Sequence, residues 1–129
     1  MIKDRVEAGQ LLSQKISSRD NVVVLAIPRG GVIVGHEIAK KLGCKLDIVI
    51  SKKITPPDNP EFAIGAITHD GTLFRSNYWD NYAEYPDLDA EIQKKKQEVK
   101  RRLEEYRGSS EYDVSGKSVI LVDDGIATG

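Results

Sequence analysis

The chain has 129 residues and a mass of 14.3 kDa, with 19 lysines and arginines against 20 aspartates and glutamates. That length suits one domain able to bury its own core, and a formal charge of −1 with a pI near 6.1 gives no support for a nucleic-acid or acidic-membrane partner. A single cysteine, Cys44, excludes an internal disulfide framework, and no apolar run approaches the roughly 20 residues of a membrane span. The first residues carry early acids and no apolar stretch, so they do not read as a signal peptide. These features predict one cytoplasmic domain over residues 1–129.

Residues 4–17 read as a helix, with Val6, Leu12 and Ile16 near one face and Gly9 weakening the pattern. Val22 to Ile27 is a β-branched run suited to a parallel strand buried on both faces. Pro28-Arg29-Gly30-Gly31 breaks it, and residues 32–42 read as a helix stopped by Gly43. Leu46 to Ile50 predicts a second strand ending at Ser51-Lys52-Lys53. The proline-rich stretch 55–60 must be loop. Ala63 to Thr68 and Thr72 to Phe74 flank His69-Asp70-Gly71, a hairpin signal. Residues 87–107 predict a long helix with Pro86 in its first turn. Leu88, Ile92, Val99, Leu103 and Tyr106 form its expected buried stripe, and Gly108 its stop. Val119 to Val122 reads as another strand buried on both faces.

Strands alternating with helices predict an α/β domain with a largely parallel sheet, whose ligands bind at the carboxyl ends of the strands. Three peptides sit there: Pro28 to Gly31, Ser51 to Lys53, and Asp123 to Gly129. The last is the most informative. Asp123 and Asp124 follow a buried strand, where carboxylates suit sugar hydroxyls or a hydrated Mg2+. Gly125-Ile126-Ala127-Thr128-Gly129 is small and flexible, and its backbone amides with the Thr128 hydroxyl could cradle a phosphate. Acceptors for hydroxyls beside donors for a phosphate describe a binder of a ribose phosphate.

The segment 119–129 resembles the signature of the type I phosphoribosyltransferases: a hydrophobic strand, two acids and a small-residue loop with Thr-Gly. Asp4-Arg5, Ala8-Gly9, Asn59-Pro60-Glu61, Ile64-Gly65-Ala66, Arg101-Arg102 and Tyr106-Arg107 extend the likeness, to a bacterial and archaeal subgroup, over nearly the whole chain. The resemblance implies a Rossmann-like parallel core with a hairpin or loop flap. It implies that Asp123 and Asp124 bind ribose hydroxyls and touch Mg2+ only through ligand or water. Residues 125–129 would wrap the 5-phosphate, and Arg29, Gly30 and Gly31 would form the pyrophosphate loop, a place where the family often holds a non-proline cis peptide. Lys52 or Lys53 would add charge on the pyrophosphate. Residues from about Ile54 to Thr68 would be a mobile loop closing over the site.

The activity so implied is Mg2+-dependent transfer of the phosphoribosyl group from phosphoribosyl pyrophosphate to a nitrogenous base, with a non-catalytic nucleotide-binding regulator of the same fold as the alternative. Small-molecule substrates, no nucleic acid, no membrane, and association with further copies of the chain complete the expected partners. Ala127 stands where some 6-oxopurine-salvaging members carry an acid, which points away from a close hypoxanthine or guanine enzyme. The family pattern continues past the position of Gly129 with a second threonine, a helix and further strands, so the chain is expected to be a C-terminally truncated piece of a longer protein, with a short chain completed by another subunit as the alternative. A generic dinucleotide or triphosphate enzyme is disfavoured, since neither glycine-rich fingerprint is present.

Other residues read more plainly. His36 and His69 are expected to be structural or solvent-facing, and Cys44 a small buried hydrophobe. The basic residues between Lys94 and Arg102 interleave with acids, as in Glu91–Lys95 and Glu98–Arg102, and predict a solvated helix face. Tyr78, Trp79, Tyr82 and Tyr85 predict packing of a cap segment or a contact between copies, with base stacking as the sharper reading.

Overall fold

A computed structural model describes residues 2–17 and 20–125. Its elements are α1 (Arg5–Lys15), β1 (Val22–Ala26), α2 (Gly30–Leu42), β2 (Lys45–Ile48), β3 (Lys52–Ile54), β4 (Gly65–Ile67), β5 (Leu73–Arg75), α3 (Leu88–Arg107) and β6 (Ser118–Val122), with a short 3₁₀ turn at Trp79–Asn81. They fall into two compact units, residues 1–49 with 112–129, and residues 50–111.

The first unit is built on a parallel sheet of order β2-β1-β6. β1 is central, with Ala26 opposite Ile48 on one side and Val122 on the other. Its β-branched run is buried throughout from Val23 to Ala26, as the sequence predicts. α2 covers one face, burying Val34, Ile38 and Ala39 against Val24 and Val122. Cys44 packs at the margin of this cluster. α2 ends where Gly43 takes the left-handed conformation, φ 65°.

Two expectations change in this unit. α1 does not bury Val6 and Leu12, which are exposed; it buries Gly9 and Ser13. A Cβ at Gly9 would lie 2.6 Å from Glu37 Cβ and 2.8 Å from the Val34 carbonyl, so the glycine lets α1 and α2 approach closely. β6 is not buried on both faces. It is an edge strand in this sheet, and Val119 and Leu121 are 43% and 63% exposed.

The second unit holds an antiparallel sheet of order β3-β4-β5 packed on α3. The predicted hairpin is β4–β5, with Gly65 opposite Arg75 and Ile67 opposite Leu73. Its core joins Ile54, Ile64, Ile67, Trp79 and Leu88. Trp79 is thus a packing residue, while Tyr78 stays exposed with its ring 5.1 Å from that of Phe62. α3 begins at Leu88 with Asp87 as its cap, so Pro86 lies just before the helix and not in its first turn. Leu88, Val99 and Leu103 are buried as expected, but Tyr106 is exposed, with Arg102 over its ring. Lys95 lies 3.6 Å from Glu91, as expected, and 3.7 Å from Glu98, and all three side chains are half-buried, so this part of the helix is less solvated than its charge pattern predicts.

At the β4–β5 turn, Asp70 Oδ1 accepts from the Thr72 backbone N–H at 2.9 Å and from the Thr68 hydroxyl at 2.7 Å. These bonds, the backbone one first, hold its carboxyl well below the usual carboxylate range. A lowered folded-state value means stability that is present above the unfolded value, about pH 4, and lost as pH falls below it. Asp70→Asn is therefore expected to flatten the decline of the urea midpoint below about pH 4. An unchanged slope in the variant would show that the turn carries none of the acid sensitivity.

Candidate functional site

Parallel register brings the carboxyl ends of β1 and β6 to the same edge. Beyond the last paired residues, the Ile27 N–H still donates to the Val122 carbonyl at 2.9 Å. The two chains then part, one into Pro28 to Gly31 and the other into Asp123 to Gly125. The peptide between Pro28 and Arg29 is cis. Arg29 is the cap residue of α2 and is exposed, and the helix starts at Gly30, two residues earlier than the sequence pattern predicts. Gly30 and Gly31 thus occupy the first turn, where backbone N–H groups lack intrahelical partners and the helix dipole favours an anion.

Both glycines sit at points of close approach. A Cβ at Gly31 would meet the Val122 carbonyl at 3.0 Å and Asp123 Cα at 3.2 Å. A Cβ at Gly30 would collide with Asp124 Oδ2 and Arg5 Nε. The start of α2 and the acid pair are therefore in direct contact, separated by no side chain.

The two acids differ in setting. Asp123 turns back, and its Oδ1 accepts the Asp124 N–H at 2.8 Å. Asp124 reaches across Gly30, and its Oδ2 accepts from Arg5 Nε at 3.0 Å and Nη2 at 2.9 Å. The Arg5 hydrogen bonds, together with its positive charge, hold the Asp124 carboxyl below its ordinary range. Arg5 is the site residue that sequence reasoning missed. Asp4 caps α1 by accepting the Glu7 N–H at 2.9 Å, which places Arg5 at the first helical position. An isolated arginine near a terminus gives no sign that it will meet an acid 119 positions away.

A groove of about 530 Å³ adjoins Asp123 and Asp124, with Leu12, Ile16, Ile120 and Leu121 among its walls. Among the described residues its walls are apolar apart from the two acids, while the unpaired N–H groups lie at the start of α2. Of the remaining predicted residues, Gly125 is described and exposed, whereas Ile126, Ala127, Thr128 and Gly129 lie outside the described residues.

Lys52 and Lys53 are not at the end of β2. They lie on β3 in the second unit, opposite Ile67 and Ala66. Burial of Ile54 in that unit's core draws the preceding lysines into its sheet. For the same reason the stretch from Ile54 to Thr68 is not one loop: β3 ends at Ile54, β4 spans Gly65–Ile67, and Ile54, Ile64 and Ile67 are fully buried. His36 is exposed. Among the described residues, no three His, Cys, Asp or Glu side chains are grouped to hold a metal, and no helix is long and apolar enough to cross a membrane.

Comparison with known proteins gives a consistent picture. The family model of the phosphoribosyl transferase domain matches residues 2–129. Two proteins from two strains of Mycobacterium tuberculosis, each named "putative phosphoribosyl transferase", are 39% identical over 138 aligned positions that cover the whole of this chain. The chain spans 30% of the length of these relatives. The crystal structure of TT1426 from Thermus thermophilus superposes with a TM-score of 0.79 at 40% identity, covering 99% of this chain and 63% of that one.

Proposed function

The chain belongs to the phosphoribosyl transferase domain family, and from that premise we propose that it binds phosphoribosyl pyrophosphate and transfers its phosphoribosyl group to a base nitrogen. The observation that carries the reading is the contact at Gly30. Donors for an anion at the start of α2 lie against carboxylate acceptors at the end of β6.

In this proposal Asp123 and Asp124 accept hydrogen bonds from the ribose hydroxyls, and residues 125–129 surround the 5-phosphate. The amides of Gly30 and Gly31 and the Arg29 guanidinium face the pyrophosphate. Lys52 and Lys53 are proposed as a further source of positive charge. The bond from the anomeric carbon to pyrophosphate breaks as the bond to the base nitrogen forms. Charge grows on the departing oxygen, so fixed amides and a guanidinium stabilise the transition state more than the ground state. With a net charge of −1, the protein would attract its anionic ligand through these few groups and not through a basic surface.

The acids also suit Mg2+. That ion takes oxygen ligands and keeps several waters, so two carboxylates that, among the described residues, belong to no larger ligand cluster fit an ion held mainly by ligand oxygens and water. When bound, it would neutralise charge on the pyrophosphate and improve it as a leaving group. The proposed setting is the cytoplasm, with residues 1–129 acting as one phosphoribosyltransferase-like domain.

Calorimetric titration with Mg2+ and phosphoribosyl pyrophosphate tests the reading. Wild type is expected to bind, and Asp124→Asn to bind at least about tenfold more weakly, because a charged acceptor is lost. Absence of wild-type binding would sink the proposal. Pyrophosphate release across a panel of bases then separates a transferase from a regulator that only binds.

A further inference from the structure

The Arg5–Asp124 pair is over-built for what it contributes to stability. Three elements converge on it: the start of α1, the start of α2, and the end of β6. Arg5 is placed by the Asp4 cap, and α1 is held on α2 through the close approach at Gly9. Gly30 leaves the space in which guanidinium and carboxylate meet. Yet the two side chains are 56% and 34% exposed, and exposed ion pairs add little to folding stability.

The geometry itself suggests what the pair does. Two donors from different nitrogens of Arg5 fall on one oxygen, Oδ2. Such a grip fixes the carboxylate and leaves its lone pairs on Oδ1 directed elsewhere. A carboxylate that must accept a sugar hydroxyl benefits from being held before the ligand arrives, because its ordering cost is then already met in the free protein.

We propose that Arg5 is a positioning residue: it orients Asp124 for the hydroxyls of the phosphoribosyl ligand and acts only through that carboxylate. This rests on the function proposed above, and it adds a residue outside the three strand-end peptides. It also separates Arg5 from Arg29, which would meet the anion directly.

The test compares two probes, Mg2+ with phosphoribosyl pyrophosphate and Mg2+ with inorganic pyrophosphate, which lacks the sugar. Wild type, Arg5→Ala, Arg5→Lys, Asp124→Asn and the double variant Arg5→Ala with Asp124→Asn are titrated calorimetrically. Arg5→Ala is expected to weaken the sugar-bearing probe roughly tenfold, as loss of a group that orients a ligand-contacting residue does. Pyrophosphate affinity should stay within about twofold, and Arg5→Ala should add no more than that in the Asp124→Asn background. Arg5→Lys should recover part of the loss, since a charged donor remains without the two-nitrogen grip. Melting curves report folding; if the alanine variant does not fold, the lysine variant carries the comparison between the two probes.

Unchanged affinity for the sugar-bearing probe in Arg5→Ala overturns the inference alone. So does an equal loss for both probes, which would make Arg5 a direct anion ligand. Additive losses in the double variant overturn it too. A wild type that ignores the sugar-bearing probe defeats the functional reading and this inference with it.

Discussion

Gly30→Ala is expected to lower affinity for phosphoribosyl pyrophosphate at least about tenfold, the loss also expected when the acid it displaces is neutralised. The protein should remain folded. The added methyl group would overlap Asp124 Oδ2 and Arg5 Nε, so something must move. Both atoms are at the ends of side chains that are partly exposed, and they can swing outward without disturbing the core. Alanine also favours the helical backbone that Gly30 already adopts, by up to about 1 kcal/mol. The methyl group therefore dismantles the acid's placement while thermal stability changes little. Calorimetric titration and a melting curve on the same sample check both halves. Wild-type affinity in this variant would mean that Asp124 does not meet the ligand from its present position.

The largest expected stability effect lies in the second unit. Ile54→Ala is expected to cost about 2–5 kcal/mol, read from the urea midpoint, because it opens a cavity in a packed core. Ile54 has no solvent exposure and packs with Ile64, Ile67, Trp79 and Leu88. A residue at the base of a closing loop would behave otherwise: surface substitutions stay within about 0.5 kcal/mol. The experiment therefore separates β3 as a core strand from β3 as the start of a lid.

The parallel core was legible because its signals are local. A run of β-branched residues states burial on both faces, and two acids after such a run state a strand end. The hairpin likewise follows from Asp70-Gly71 between two short apolar runs. What was not legible depends on partners distant in sequence. Val6 and Leu12 have the spacing of a buried face, yet α1 docks through Gly9, since backbone approach leaves no hydrophobic signature. Lys52 and Lys53 continue directly from a strand-like run, and only the burial of Ile54 assigns them to a different sheet. The apolar run of β6 states how apolar the strand is, not how many neighbours it has, so its place at the edge of the sheet with Val119 and Leu121 exposed is not legible in that run alone. Arg5 was invisible as a site residue because its partner is placed by tertiary packing alone.

The position of β6 in the chain also bears on how the protein is made. β1 and β2 leave the ribosome early, but β6, which pairs with the other side of β1, follows about 90 residues later, or roughly 5–20 s at ordinary rates of synthesis. Throughout that interval the nascent central strand has one row of backbone donors and acceptors without a mate. Residues 50–111 are all synthesised in this gap and can settle into their own sheet first. An apolar, β-branched edge left open for that long is what neighbouring nascent chains can pair with. Yield of folded protein should therefore depend on crowding and speed at the ribosome.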